Sequence, residues 1–108
     1  NVNDAYRSLK SKKIEYNLKT DTIADGLRTN LGDINFPIIL DYIKSIICVN
    51  EDEIINAMKL IFDKLNILIE PSSAVAFAGL LKEKEKFKGK KVGVILSGGN
   101  VDSNKLPF

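Results

Sequence analysis

Lys91-Val92-Gly93-Val94-Ile95-Leu96-Ser97-Gly98-Gly99-Asn100 is the stretch on which the fold turns. A near-continuous apolar run that gives way at once to a small polar turn reads as a strand buried on both faces, the habit of parallel sheets. Working outward, Ile46-Ile47-Cys48-Val49 and Ile67-Leu68-Ile69 are shorter runs of the same kind, and each leads into a helix signal. This alternation of buried strand and helix predicts an α/β architecture with parallel pairing.

The helix signals are specific. Asn50 precedes Glu51, Asp52 and Glu53, which is an N-cap with a capping-box partner three residues on and acids at the positive helix end. Ile54, Ala57, Met58, Ile61, Phe62 and Leu65 then recur at three- and four-residue spacing, so a helix over 51–65 packs that face inward. After Glu70-Pro71, Ser72 or Ser73 offers a cap for a helix from Ala74 to about Phe87. Its end, Lys82-Glu83-Lys84-Glu85-Lys86, reads as a solvated face. Asn35-Phe36-Pro37 opens another helix, with an apolar face of Ile38, Ile39, Leu40, Tyr42, Ile43 and Ile46. Thr22 to Arg28 allows one or two helical turns behind Asp21. Asn1 to Asp21 reads as loop, with a short edge strand through Ile14, Tyr16 and Leu18.

Composition narrows the class. The 108 residues carry 16 basic and 14 acidic side chains, a formal charge of +2 that gives little steering towards nucleic acid. No apolar run approaches the roughly 18 to 20 residues of a spanning helix. One cysteine, Cys48, excludes an intrachain disulfide and fits a reducing compartment, so the cytoplasm is expected, and Cys48 itself reads as a core residue. The chain opens on Asn rather than Met, so we expect it to be a piece of a longer protein.

With no histidine, histidine-based triads and His-ligated zinc fall away. The strongest local signal is Ser97-Gly98-Gly99-Asn100 at the carboxyl end of a strand, where open α/β sheets hold their ligands. It reads either as a ligand loop or as a tight turn. Glu70-Pro71-Ser72-Ser73-Ala74 stands at a helix start, where an acidic side chain or an anionic ligand is stabilised. Asp4 with Asn3 supplies too few oxygens for a metal site alone.

Taken in order, Thr22-Ile23-Ala24-Asp25-Gly26, Val49-Asn50-Glu51-Asp52-Glu53-Ile54, Glu70-Pro71-Ser72-Ser73-Ala74 and Val94 to Asp102 resemble the carboxyl-terminal part of the serine racemase and threonine ammonia-lyase (threonine dehydratase) family. The resemblance covers essentially all of residues 1–108. It implies the tryptophan-synthase β-like fold (fold type II), in which this chain is the later part of the large α/β domain of a pyridoxal-phosphate enzyme. The family's Schiff-base lysine and phosphate loop belong to its amino-terminal half, so no lysine here is nominated as catalytic. We therefore expect the piece to be inactive alone and prone to aggregate through exposed apolar area.

The same resemblance assigns roles. Ser97 faces the pyridine nitrogen with a neutral hydroxyl, which makes the ring a weaker electron sink than a carboxylate would. Gly98 and Gly99 allow close backbone packing at the ring edge, and Gly26 and Glu70 line the cofactor pocket. Val2, Asn3, Asp4 and Tyr6 resemble the end of the family's cation segment, which implies Asp4 by its carboxylate and Val2 by its backbone carbonyl as ligands for Mg or Ca. Asn100 matches a position that meets the activating nucleotide in serine racemases, whereas Asn66 stands where a basic residue is expected.

The implied reaction is α-proton abstraction and loss of the β-hydroxyl, giving a 2-oxo acid and ammonia from L-threonine or L-serine. Racemisation of serine is the alternative, and a non-catalytic phosphate- or nucleotide-binding module or an interaction domain are readings of other classes. A homodimer is expected for the whole protein, without membrane or nucleic-acid partners. If Phe108 is the natural terminus, the ACT-type regulatory domain of the family's biosynthetic threonine enzymes is not expected here, nor is inhibition by isoleucine.

Overall fold

The computed structural model describes residues 1–108, which divide into two compact units. One comprises Asn1–Thr22 and Gly26–Cys48, the other Ile23–Asp25 and Val49–Phe108.

The first unit opens with a helix where a loop was expected, and the edge strand expected through Ile14, Tyr16 and Leu18 is irregular chain. α1 spans Asp4–Ser11 and is built on polar rather than apolar burial, which is why hydrophobic periodicity misses it. Asp4 sits in its first turn and Lys10 in its last, each complementing the helix dipole. Ser8 is wholly buried; its hydroxyl donates to the Asp4 carbonyl at 2.7 Å and accepts from the Glu15 N–H at 2.8 Å. Arg7 then staples the following segment to the helix. Its guanidinium donates to Asn3 Oδ1 (3.0 Å), the Tyr16 carbonyl (2.8 Å) and Asn17 Oδ1 (3.2 Å).

α2 spans Asn35–Tyr42, with Pro37 in its first turn and Phe36 as its buried residue. The wide apolar face expected there is only partly covered. Ile34, Ile38 and Tyr42, at four-residue spacing, stay exposed.

In the second unit α3 spans Glu51–Leu65, the bounds its cap and periodicity dictate. Asn50 Oδ1 accepts from the Glu53 N–H at 2.8 Å, and Glu53 Oε2 accepts from the Asn50 N–H at 2.7 Å. That reciprocal pair satisfies donors the first turn otherwise leaves free. Ile54, Ala57, Met58 and Ile61 are buried, while Phe62 and Leu65, at the edge of the same face, remain exposed. The helix stops at Asn66, in the left-handed region at φ 53°, whose N–H donates to the Phe62 carbonyl. Asparagine tolerates that conformation better than most side chains, so Asn66 has a structural reason to stand where a basic residue was expected.

α4 spans Pro71–Lys82, beginning three residues before the expected start and ending earlier. Proline suits the first helical position because its absent N–H would have had no partner there. The cap is therefore Glu70, not Ser72 or Ser73, and its carbonyl accepts from the Ser73 and Ala74 N–H groups at 3.0 and 3.1 Å. The charged run that follows tightens into a short 3-10 turn, Lys84–Phe87. Ala74 and Ala78 of α4 meet Ile54, Ala57, Met58 and Ile61 of α3, and Ala24 and Ile69 complete that core.

The three runs expected as strands carry no ladder. Residues 46–49, 67–69 and 91–96 have no regular secondary structure, so the chain is helices and irregular segments rather than a formed α/β sheet. A strand exists only by exchanging hydrogen bonds with neighbours about 4.8 Å away. Here the second and third runs are tied at their ends, where the Glu70 N–H donates to the Gly98 carbonyl at 3.0 Å. Leu96 packs on the core while Ile95, beside it, is 81% exposed. Cys48, read from sequence as a core residue, is exposed.

Candidate functional site

The second unit brings together motifs far apart in sequence. Glu70 is the residue at which they join. Its carbonyl starts α4, its N–H holds the Gly98 carbonyl, and its Oε2 accepts from the Asn100 N–H at 3.0 Å. The Gly98 N–H reaches Ser73 Oγ at 3.5 Å, a second link between the start of α4 and the Ser97–Asn100 loop. Within the loop the Val101 N–H donates back to the Gly99 carbonyl at 2.9 Å, closing a tight turn.

Gly98 is required for space rather than for backbone freedom. Its φ lies outside the left-handed region, yet a Cβ built on it would stand 2.5 and 2.6 Å from the two carboxylate oxygens of Glu70. Gly99 is less confined, with the Leu68 carbonyl 3.5 Å from the same construction. Ser97, at the mouth of the loop, is exposed, so its hydroxyl is accessible to a ligand.

A second set of contacts attaches Ile23–Asp25 to this region. Glu51, in the first turn of α3, accepts from the Ile23 N–H at 2.8 Å through Oε2. The Asp25 N–H donates to the Ile23 carbonyl at 3.0 Å, and Ser72 Oγ lies 3.5 Å from Asp25 Oδ1. Ala24, between them, is wholly buried in the core. The contact through Glu51 was not foreseen; the only hint in the sequence was three consecutive acids where the cap needs one.

Of the residues nominated from sequence, Ser97, Gly98, Gly99, Asn100 and Glu70 thus lie in one cluster. Gly26 belongs to the other unit, exposed within the 3-10 turn Asp25–Leu27. Asp4 and Val2 also lie in that unit, Asp4 at 5% exposure and Val2 half-buried. The Asp4 carbonyl is taken by Ser8, and no group of three or more acidic, cysteine or histidine side chains converges on a metal-sized site. Asn100 enters the cluster by its backbone and leaves its side chain exposed.

In chemical terms, the cluster offers an exposed neutral hydroxyl at Ser97, held at the mouth of a loop that a carboxylate fixes from behind. That hydroxyl can donate one hydrogen bond to a ligand and accept others from it. No helix of the chain is long and apolar enough to cross a membrane.

Comparison with known proteins gives a consistent picture. A family model described as "Pyridoxal-phosphate dependent enzyme" matches residues 1–98. Serine racemase of Dictyostelium discoideum is 49% identical, over 97% of this chain and 34% of its own length. The beta-hydroxyaspartate dehydratase of Paracoccus denitrificans is 46% identical, over 99% of this chain and 34% of its own length. Among solved structures, maize serine racemase superposes with a TM-score of 0.88 at 37% identity, over 95% of this chain and 33% of that one. The chain therefore spans about a third of the length of the relatives it matches.

Proposed function

The chain belongs to the pyridoxal-phosphate dependent enzymes, and from that premise we propose that it carries one wall of the cofactor pocket of an enzyme working at the α-carbon of a small β-hydroxy amino acid. The leading reading is an ammonia-lyase acting on L-threonine or L-serine. The observation that carries it is the gathering of Glu70, Ser73 and the Ser97–Asn100 loop into one cluster with the Ser97 hydroxyl left accessible.

When bound, pyridoxal phosphate supplies the electron sink that makes the α-proton removable. In this reading Ser97 donates to the pyridine nitrogen, and the backbone of Gly98 and Gly99 borders the ring edge. A hydroxyl, unlike a carboxylate, does not hold that nitrogen protonated, which moderates the sink. The Asp4 carboxylate and the Val2 carbonyl would be two of the roughly six to eight oxygens a Ca ion takes. Racemisation is the second reading, favoured by the 49% identity to a serine racemase.

The test is the intact mass of the natural gene product together with its visible absorbance on adding pyridoxal phosphate. The expected result is a mass near three times that of this chain and an absorbance band that changes with L-threonine or L-serine. Chiral product analysis then separates 2-oxo acid and ammonia from the D-amino acid. A mass near 12.0 kDa with no band would overturn the proposal.

A further inference from the structure

Glu70 reaches the Ser97–Asn100 loop through the loop's backbone. Its N–H holds the Gly98 carbonyl at 3.0 Å, and its Oε2 holds the Asn100 N–H at 3.0 Å, so it grips the loop on both sides of Gly99. Both carboxylate oxygens occupy the space a side chain at position 98 would need. One carboxylate oxygen is thus committed to the loop backbone, and the group as a whole lies against Gly98.

We infer that Glu70 is a positioning residue, a latch that fixes Ser97 at the cofactor through the backbone of Gly98 and Asn100 without itself touching the ring, and that Gly98 is glycine to leave the latch its space. This rests on the cofactor reading only for its effect on binding; the latch is a property of the chain. Release of the loop lowers the fraction of molecules with Ser97 in place, and the apparent cofactor affinity falls by that fraction. A charge-assisted hydrogen bond to a backbone N–H sets the ceiling at roughly ten- to a hundredfold.

Two mutations should therefore do the same thing. In the intact natural protein, Glu70→Ala removes the carboxylate half of the latch and Gly98→Ala expels it. Cofactor titration by absorbance should show each weakening binding about tenfold or more, the double variant no worse than either single, and Glu70→Gln, which keeps a neutral acceptor, in between. Exchange of the Asn100 amide hydrogen should be slow in the wild type and fast in both alanine variants, a readout that needs no cofactor. Far-UV circular dichroism confirms that each variant is folded, and Glu70→Gln carries the test if the alanine variants are not.

Effects that multiply in the double variant would overturn the inference, because Glu70 and Gly98 would then meet the cofactor independently. Unchanged protection of the Asn100 amide in Glu70→Ala would overturn it too. A wild-type protein that shows no absorbance band but a Glu70-dependent Asn100 amide would remove the cofactor reading and leave the latch standing.

Discussion

The capping box of α3 gives a prediction whose size and pH dependence both follow from the structure. Asn50 and Glu53 each satisfy the other's backbone N–H, at 2.8 and 2.7 Å, and Lys82 reaches Glu53 Oε2 at 3.2 Å from α4. Replacing Asn50 by alanine should cost about 1 kcal/mol, the usual loss for an N-cap. Glu53→Gln keeps an acceptor for the Asn50 N–H but discards the charge. The Lys82 pair is exposed at 40% and 32% of its two side chains, so it adds well under ~1 kcal/mol.

The pH profile separates these contributions. The Asn50 N–H holds the Glu53 carboxyl below its ordinary value of 4.5; slight burial opposes this, and Lys82 acts in the same direction as Asn50. A depressed folded pKa means the stabilisation is complete above the unfolded value and drains away as pH falls through the folded one. The stability gap between wild type and Glu53→Gln, read from urea unfolding of the natural protein, should therefore be constant from neutrality to about pH 5 and close below that. Two curves that stay parallel down to about pH 3 would refute the reasoning, since the gap would then owe nothing to the ionised carboxylate.

Three further outcomes follow from other contacts. Met58, at 1% exposure the largest wholly buried side chain of the core, should cost about 2–5 kcal/mol on truncation to alanine, checked by the same unfolding assay. Asn66→Ala should cost up to about 1 kcal/mol by removing the short polar side chain that makes the left-handed region tolerable, while Asn66→Gly, which also removes the β-carbon, should leave thermal stability unchanged or raise it slightly. On the cofactor reading, Ser97→Ala should weaken pyridoxal-phosphate binding by about threefold to tenfold, the worth of one neutral hydrogen bond, with little effect on stability because Ser97 is exposed.

What was legible in the sequence was what short-range chemistry decides. The cap and length of α3 could be read because Asn50, Glu53 and the apolar spacing all act within one helix. α1 could not, because it buries Ser8 and Asp4 rather than a hydrophobic stripe, and its evidence is a hydroxyl bridging Asp4 and Glu15. The strands failed for a different reason. Apolar runs such as 91–96 specify a segment that wants neighbours on each side, but the ladder itself belongs to the partners. Site motifs were found in order, yet no spacing rule says that a carboxylate at position 70 will fill the volume missing from position 98, in a motif far along the chain.

That coupling has a consequence for how substitutions at this site must be interpreted. Glu70 is at once the N-cap of α4, through its carbonyl, and the grip on the Ser97–Asn100 loop, through its N–H and carboxylate. α4 in turn supplies Ala74 and Ala78 to the core it shares with α3. The backbone part of this junction survives any side-chain change, since the carbonyl and N–H remain. The carboxylate part does not. Substitutions of Glu70 should thus leave the α3–α4 core in place while freeing the Asn100 side of the loop, whereas Met58→Ala should weaken the core and leave the Asn100 amide bond to Glu70 intact until the unit unfolds. Fold and site meet in one residue but through different atoms of it, and for that reason they can be separated by mutation.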